Sequence, residues 1–577
     1  MKKIYFVLIF LALGLGCSSI TENKKKLQDC IDLYESYSSF DSLAFPLGDH
    51  SEERYEADYN FYSNLYEKVK LIQIANLSKD DNISLELLKF LIKDHLANFE
   101  FKTHLNPLSS DSGFHNSLVY RVSPLNSKNQ TLEYLKMLEA IPFFVDQNLN
   151  LLRKGLNEGV SQPLVIFDGY ESTYNKHITE TVDDNFYFSP FKNLPNQILA
   201  EEKDSLLSAA HIAIKDYVIP SFRKIKMFFE TEYYPKTRKL IGVSDTPNGA
   251  VFYQDRIAHY TTLDMTAQEV HQLGLDEVSK IKTSMKKIIE EVEFQGSFED
   301  FFIFLRTNKQ FYAQSGDELL MRARDIAKRL DEQLPKFFET LPRTPYGVAA
   351  VPDAIAPKYT GGRYIPTSPG STNPGYYWVN TYKLSSRPLY VLPALTAHEA
   401  VPGHHLQGAL NSELSDEIPS FRRSLYLSAY GEGWGLYTEA LAKEMGIYTT
   451  PYERFGQLTY SMWRACRLVV DTGIHAFGWS KEQAVEFMAV NTALSLHEIN
   501  TEVDRYISWP GQALSYKVGE LKISELRKKA ENELGENFNI REFHNIILQK
   551  GTLTLPLMEE EVSAYINKKL NEKYNKI

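Results

Sequence analysis

The residues with the strongest claim to chemistry lie in LTAHEAVPGHHLQ, at 395–407, where three of the chain's 14 histidines fall close together. His398 is followed directly by Glu399, and His404 and His405 come one to two helical turns later. In the H-E-x-x-H arrangement of zinc peptidases, two histidines four apart share a helix face and bind the metal. The glutamate between them acts as general base. Here the position four after His398 is Pro402, which offers no ligand atom. Proline also lacks the N–H that would bond the carbonyl of residue 398, and its ring crowds that carbonyl. Gly403 adds backbone freedom. The helix is therefore expected to kink or widen here through π-type turns. Two absorbed residues would bring His404 to the ligand position. On an undistorted helix His405 is nearer the face of His398, but about 10.5 Å along the axis. His404 is the expected ligand and His405 the alternative.

A catalytic zinc needs a third protein ligand and an open position. The best candidate is in AYGEGWGLYTEAL, at 429–441, where Glu432 opens an apolar helix. Glu439, seven residues on, shares nearly the same face and is placed to orient a ligating histidine from behind. Both also suit plain helix-start carboxylates that favour the macrodipole. Further along, Arg464, Arg467, Asp471 and His475 form a stripe at helical spacing. Tyr506 and Tyr516 flank the loop Pro510-Gly511-Gln512. The segments GGRYIP and NPGYYWVNT read as strands whose edges could take an extended peptide.

The elements that must position these residues are mostly helices. Leu389, Leu392, Leu395 and Ala397 place His398 on a helix starting near Ser386 and Arg387-Pro388. Thr266-Ala-Gln-Glu269 is a capping box, followed by apolar residues at helical period through Val292. Ser315-Gly-Asp-Glu318 opens another helix, and 105–130 reads as loop. Between 346 and 381, Gly/Pro signals and alternating apolar residues predict short strands and turns, and from 386 to 576 helices return. The fold class is mainly α: one large helical domain over 31–577, with a small β insert (about 346–381) at a cleft beside metal-site helices at about 386–445.

Composition bounds the alternatives. Of 577 residues, 43% are apolar and 24% charged, close to globular averages, which excludes disordered, collagenous and polytopic membrane classes. The net charge of −11 argues against a nucleic-acid partner. All five Trp lie between 378 and 509, either around a site or in a core. Residues 1–16 have a basic start and an apolar run too short to span a bilayer, as in a signal peptide. Cys17 follows in LGLGC, which resembles the lipobox of bacterial lipoproteins, although Gly14 stands where that motif usually has Leu. The expectation is a lipidated Cys17 and a tether over 17–30, placing the enzyme in the cell envelope, anchored to a membrane. Cys30 and Cys466 alone make no disulfide scaffold.

H-E-x-x-P-G-H-H followed by E-G-W-x-x-Y-x-E resembles a large bacterial family of unknown function that includes many lipoproteins. NGAVFYQDRIAHYTT, TAQEVHQLGLDEV, RLVVDTGIHAFGW and EVDRYISWPGQALSYKVG extend the resemblance over most of the chain. More distantly, the chain is similar to helical gluzincin metallopeptidases such as carboxypeptidase Taq, thimet oligopeptidase and angiotensin-converting enzyme. The altered spacing in HEAVPGHH departs from those enzymes. The resemblance implies a mostly α fold split by a deep central cleft with zinc on its floor, and a zinc-dependent hydrolase of short peptides, with Glu399 as base and Tyr516, together with Tyr506 or His475, donating hydrogen bonds to an oxyanion. Arg505, with Arg467 beside it, is the candidate to bind substrate by gripping a carboxylate through its guanidinium. A metal-dependent amidase or esterase, and a non-catalytic peptide-binding lipoprotein, are the alternative functions.

Overall fold

The computed structural model describes residues 22–574, apart from 39, 354, 369 and 370. The signal-peptide segment 1–16, the lipidation residue Cys17 and the start of the tether lie outside the described residues. Among the described residues no helix is long and apolar enough to cross a membrane. The protein is mainly α with one small sheet, and the chain divides into two compact units.

The first unit comprises residues up to Phe252 together with Ile507–Trp509. Its longest helix, Lys128–Asn157, buries Leu138, Ile141, Val145 and Leu149 along one face. The helix Ile219–Phe228 is flanked by π-helical turns, and Phe229 in the second of these packs among Phe167, Tyr170, Tyr174 and Tyr233. The segment 105–130 is largely irregular, as its Ser, Asn and Gly content predicts.

The second unit, Tyr253–Tyr506 and Pro510 onward, carries every residue singled out above for chemistry. Its spine is the helix Pro451–Phe477, opened by a Thr450–Glu453 capping box and closed by Gly478 at φ 68°. It packs on Ala267–Glu291, itself opened by the Thr266–Glu269 capping box. Gly274 lets these two helices approach, since a Cβ there would lie 2.7 Å from the Val469 side chain. A second pair, Ser428–Glu444 and Ser515–Leu534, crosses at Gly433 and Gly519, where a Cβ on Gly519 would lie 2.0 Å from the Ala429 carbonyl oxygen. The helix Leu392–Glu399 rests against both Ser428–Glu444 and Pro451–Phe477.

The β insert is a three-stranded sheet of β1 (Tyr346–Ala350), β2 (Gly362–Ile365) and β3 (Gly375–Val379) in the order β1-β3-β2. β1 pairs with β3 in parallel and β2 pairs with β3 antiparallel, leaving β2 at an edge. Buried Tyr377 on β3 ties the sheet to the helix below it, its hydroxyl accepting a weak 3.5 Å bond from Thr396.

Candidate metal centre

The histidine motif does not run as one widened helix. The helix Leu392–Glu399 stops, and a non-helical turn of four residues leads to a new helix, His404–Ser412. Ala400 (φ −94°, ψ −115°) and Gly403 (φ −78°, ψ −129°) both leave helical geometry, and the Val401–Pro402 peptide is cis. The expected π-type bulge is therefore corrected to a clean break, although the His405 amide still reaches back five residues to the Ala400 carbonyl at 3.1 Å. Glycine is required at 403, because a Cβ there would sit 1.9 Å from the His398 carbonyl oxygen. The Trp434 indole donates to the Pro402 carbonyl at 2.8 Å and pins the turn. The helix also begins later than predicted, since 384–391 forms short 3₁₀ turns before it.

The break delivers His404 beside His398, with ring centres 4.7 Å apart and planes perpendicular. Glu432, from the second turn of Ser428–Glu444, points one carboxylate oxygen, Oε2, between them. It lies 3.5 Å from His398 Nε2 and 3.6 Å from His404 Nε2. One ligand atom from each of the three residues falls within 4.8 Å of the other two. A tetrahedral zinc with ligands at about 2.0–2.1 Å separates neighbouring ligand atoms by roughly 3.4 Å, so the donor set fits in kind and in spacing. Although burial pulls His398 down, Glu432 and Glu439 push its imidazole up to about 10. Burial would raise Glu432, but the two histidines hold its carboxyl well below the usual range. Two imidazoles that crowd one carboxylate oxygen in this way make a triad that could hold a metal ion.

Glu439, 1% exposed, accepts from His398 Nδ1 at 2.8 Å and so turns Nε2 toward the centre. Such a carboxylate behind a ligating imidazole fixes its tautomer and raises its basicity. Gly435 makes the room: a Cβ there would lie 2.6–2.9 Å from three atoms of the His398 ring. Glu399 accepts from the Tyr364 amide on β2 at 2.7 Å through Oε2, and its carboxylate makes no other hydrogen bond among the described residues.

His405 takes no part in the cluster. It is buried, its Nδ1 lies 3.2 Å from the Tyr364 hydroxyl and its ring packs 4.7 Å from Tyr346 on β1. Burial pushes its imidazole down to about 4. The alternative ligand is thus corrected to a strut between the new helix and the sheet.

The remaining candidates fall into a network around the spine helix. The Tyr506 hydroxyl donates to Glu502 at 2.7 Å and accepts from Trp463 and Arg467, both at 3.0 Å. Arg467 and Arg505 are both tied to Glu502 at 3.1 Å, and Arg505 also donates to Gln512. His475 is buried with Nε2 against the Tyr506 carbonyl at 3.0 Å. Asp471 pairs with neither arginine. It accepts from the Tyr253 hydroxyl at 2.6 Å and the Gly511 amide at 3.1 Å, fixing the loop that leads into Tyr516. Tyr516 is half-buried beneath the Arg467 guanidinium, 4.4 Å from its ring centre. Burial and the charge of Glu432 push its phenol up. Two contributors escaped the sequence reading: Tyr364, through its backbone amide, and Tyr426, whose hydroxyl donates to Glu432 Oε1 at 3.0 Å. Tyr364 lies within the GGRYIP segment read above as a strand, and nothing in the sequence marks Tyr426.

Residues 41–562 match a family described as bacterial protein of unknown function, DUF885. The chain belongs to the DUF885 family. The fold of this DUF885 protein matches a crystal structure of a candidate lipoprotein from Colwellia psychrerythraea, with a TM-score of 0.84 and 24% identity over 95% of this chain and all of that one. A candidate lipoprotein of unknown function from Shewanella oneidensis matches with a TM-score of 0.69 and 16% identity, over 94% of this chain and 98% of that one. Both are likenesses of fold. No curated protein matches the chain.

Proposed function

We propose that this DUF885 protein is a zinc-dependent hydrolase of short peptides, with His398, His404 and Glu432 as metal ligands and Glu399 as general base. The observation that carries the reading is the convergence of three ligand atoms to within 4.8 Å of one another, with a carboxylate on the residue next to His398. Zinc, when bound, supplies Lewis acidity to a substrate carbonyl and to water. The Glu399 carboxylate, anchored through one oxygen to the Tyr364 amide, takes a proton from the attacking water with the other and passes it to the leaving amine. Glu439 keeps His398 aimed, and Tyr516 is near enough to Glu432 to meet developing negative charge on the substrate.

Peptide rather than another amide is favoured by β2. It is an edge strand, and its Tyr364 amide already points at the base, so an extended substrate laid along that edge would pass the reacting carbonyl beside Glu399. The LGLGC motif and the lipoprotein descriptions of the two structural relatives support a lipid-anchored place in the cell envelope. The test is mass spectrometry of a mixed library of peptides, about four to twelve residues long in keeping with β-edge recognition, with zinc-loaded, chelator-stripped and Glu399→Gln protein, beside a panel of small amides and esters. Cleavage of peptides only by the zinc-loaded wild type is the expected result. Turnover confined to the small amides or esters would replace the peptidase reading, and turnover surviving chelation would remove the metal from it.

A further inference from the structure

Among the described residues, Tyr426 is the most exposed of the phenols around the metal centre, with its hydroxyl tied to Glu432. Its main chain is held firmly on both sides: the Leu425 carbonyl accepts from Thr552 at 2.7 Å, the Leu427 side chain is buried, and the Leu427 carbonyl accepts from the Gly431 amide at 2.9 Å. The side chain itself is 56% exposed. Its single hydrogen bond among the described residues runs to Glu432 Oε1, the oxygen turned away from the two histidines. The ring packs directly on Gly431, where a Cβ would lie 2.3–2.7 Å from three of its atoms. Burial first, and then the charge of Glu432, pushes the Tyr426 hydroxyl well above the usual phenol range, so it stays protonated beside that carboxylate.

The other aromatic hydroxyls nearby differ. Tyr506 is 1% exposed with three hydrogen-bond partners, and Tyr516 is stacked under a buried arginine. A residue that served only to orient Glu432 would be packed as Glu439 is, at 1% exposure. An exposed ring on a rigid main chain, held by one bond to the rim of the centre, is instead an arm that can change partners.

We propose that Tyr426 is a catalytic hydrogen-bond donor that leaves Glu432 Oε1 when a peptide binds and donates to the substrate carbonyl oxygen as that oxygen gains negative charge. This deepens the hydrolase reading and rests on it. The hydroxyl keeps its proton throughout; one hydrogen bond to a carboxylate is exchanged for one to an oxyanion. A donor of this kind is worth about 10²–10³ in kcat and little in KM.

The experiment compares wild type and Tyr426→Phe as full zinc-loaded chains. Five quantities are read: zinc affinity by chelator competition, binding of acetohydroxamate, binding of phosphinic tripeptides that present a tetrahedral anion, and kcat and KM on a cleaved peptide. The proposal expects zinc and acetohydroxamate affinities within about threefold of wild type, phosphinic tripeptides weakened at least about tenfold, and kcat lowered about 10²-fold. Equal phosphinic-tripeptide affinity in the two proteins would overturn the role of Tyr426 while leaving the hydrolase standing. A parallel fall in zinc affinity would reduce the residue to a prop for Glu432. Failure of zinc-loaded wild type to bind any phosphinic tripeptide would defeat the hydrolase reading itself, and the Tyr426 role with it.

Discussion

Tyr364 touches the histidine motif twice, its amide on Glu399 and its hydroxyl on His405, and this separates the roles of neighbouring residues. Glu399 is held by the backbone amide of another residue, a donor that its own substitution leaves in place, so Glu399→Gln should keep its position and lose only its basicity. Turnover should fall by about 10²–10⁴-fold with zinc retained, as general-base loss predicts. Activity within a factor of a few of wild type, in protein shown by elemental analysis to hold zinc, would remove Glu399 from that role. His398, Glu399, Glu432 and Glu439 were legible in the sequence because their types and helical spacing are local facts. Tyr364 and Tyr426 were not. One acts through a backbone amide that every residue but proline possesses, and the other through a loop whose direction is set by packing at Leu425 and Leu427.

At the scale of elements, the centre depends on a helix that ends in the right place. Pro402 announces an interruption, which makes His404 the expected ligand and leaves His405 as the alternative. The form of the interruption is not legible there, because a bulge and a break satisfy the same lost hydrogen bond. Only the fit of Gly403 against the His398 carbonyl selects the break. Gly435 has the same standing on the facing helix. Gly435→Ala should force the His398 ring aside without removing any ligand. It should weaken zinc binding about 10–100-fold, as loss of ligand orientation does elsewhere, and cost about 1–3 kcal/mol through overpacking. Thermal unfolding with zinc and with chelator measures both. A variant with unchanged zinc affinity would show that the ring has room the structure does not reveal.

Across the whole molecule, the family match spans 41–562 and so includes both compact units. Their division at Phe252 falls within the helix Gly249–Thr261, where no Gly/Pro-rich linker marks it, which is why the helical pattern reads as continuous. One buried group should leave a mark on global stability. Burial pushes Asp471 up to about 7, against the bonds from Tyr253 and Gly511 that favour its charged form. A folded-state value raised above the unfolded one means the folded chain binds the extra proton. The contribution is therefore complete below an unfolded value of about 3.9 and is lost as pH rises to about 7. Asp471→Asn keeps an acceptor for both donors and cannot titrate. Its stability relative to wild type should climb with pH across that window, by at most about 1.4 kcal/mol per unit. Parallel denaturation midpoints for the two proteins from pH 4 to 7 would contradict the assignment.

The account stands or falls on the metal. The most direct measurement is zinc content by elemental analysis after metal-free purification and zinc add-back, on wild type, His404→Ala and His405→Ala. The arrangement of His398, His404 and Glu432 predicts about one zinc per chain in wild type, as for a mononuclear catalytic site. It predicts a large loss in His404→Ala and full retention in His405→Ala, whose only expected deficit is stability. No zinc in wild type, or zinc lost from the His405 variant and kept by the His404 variant, would contradict it.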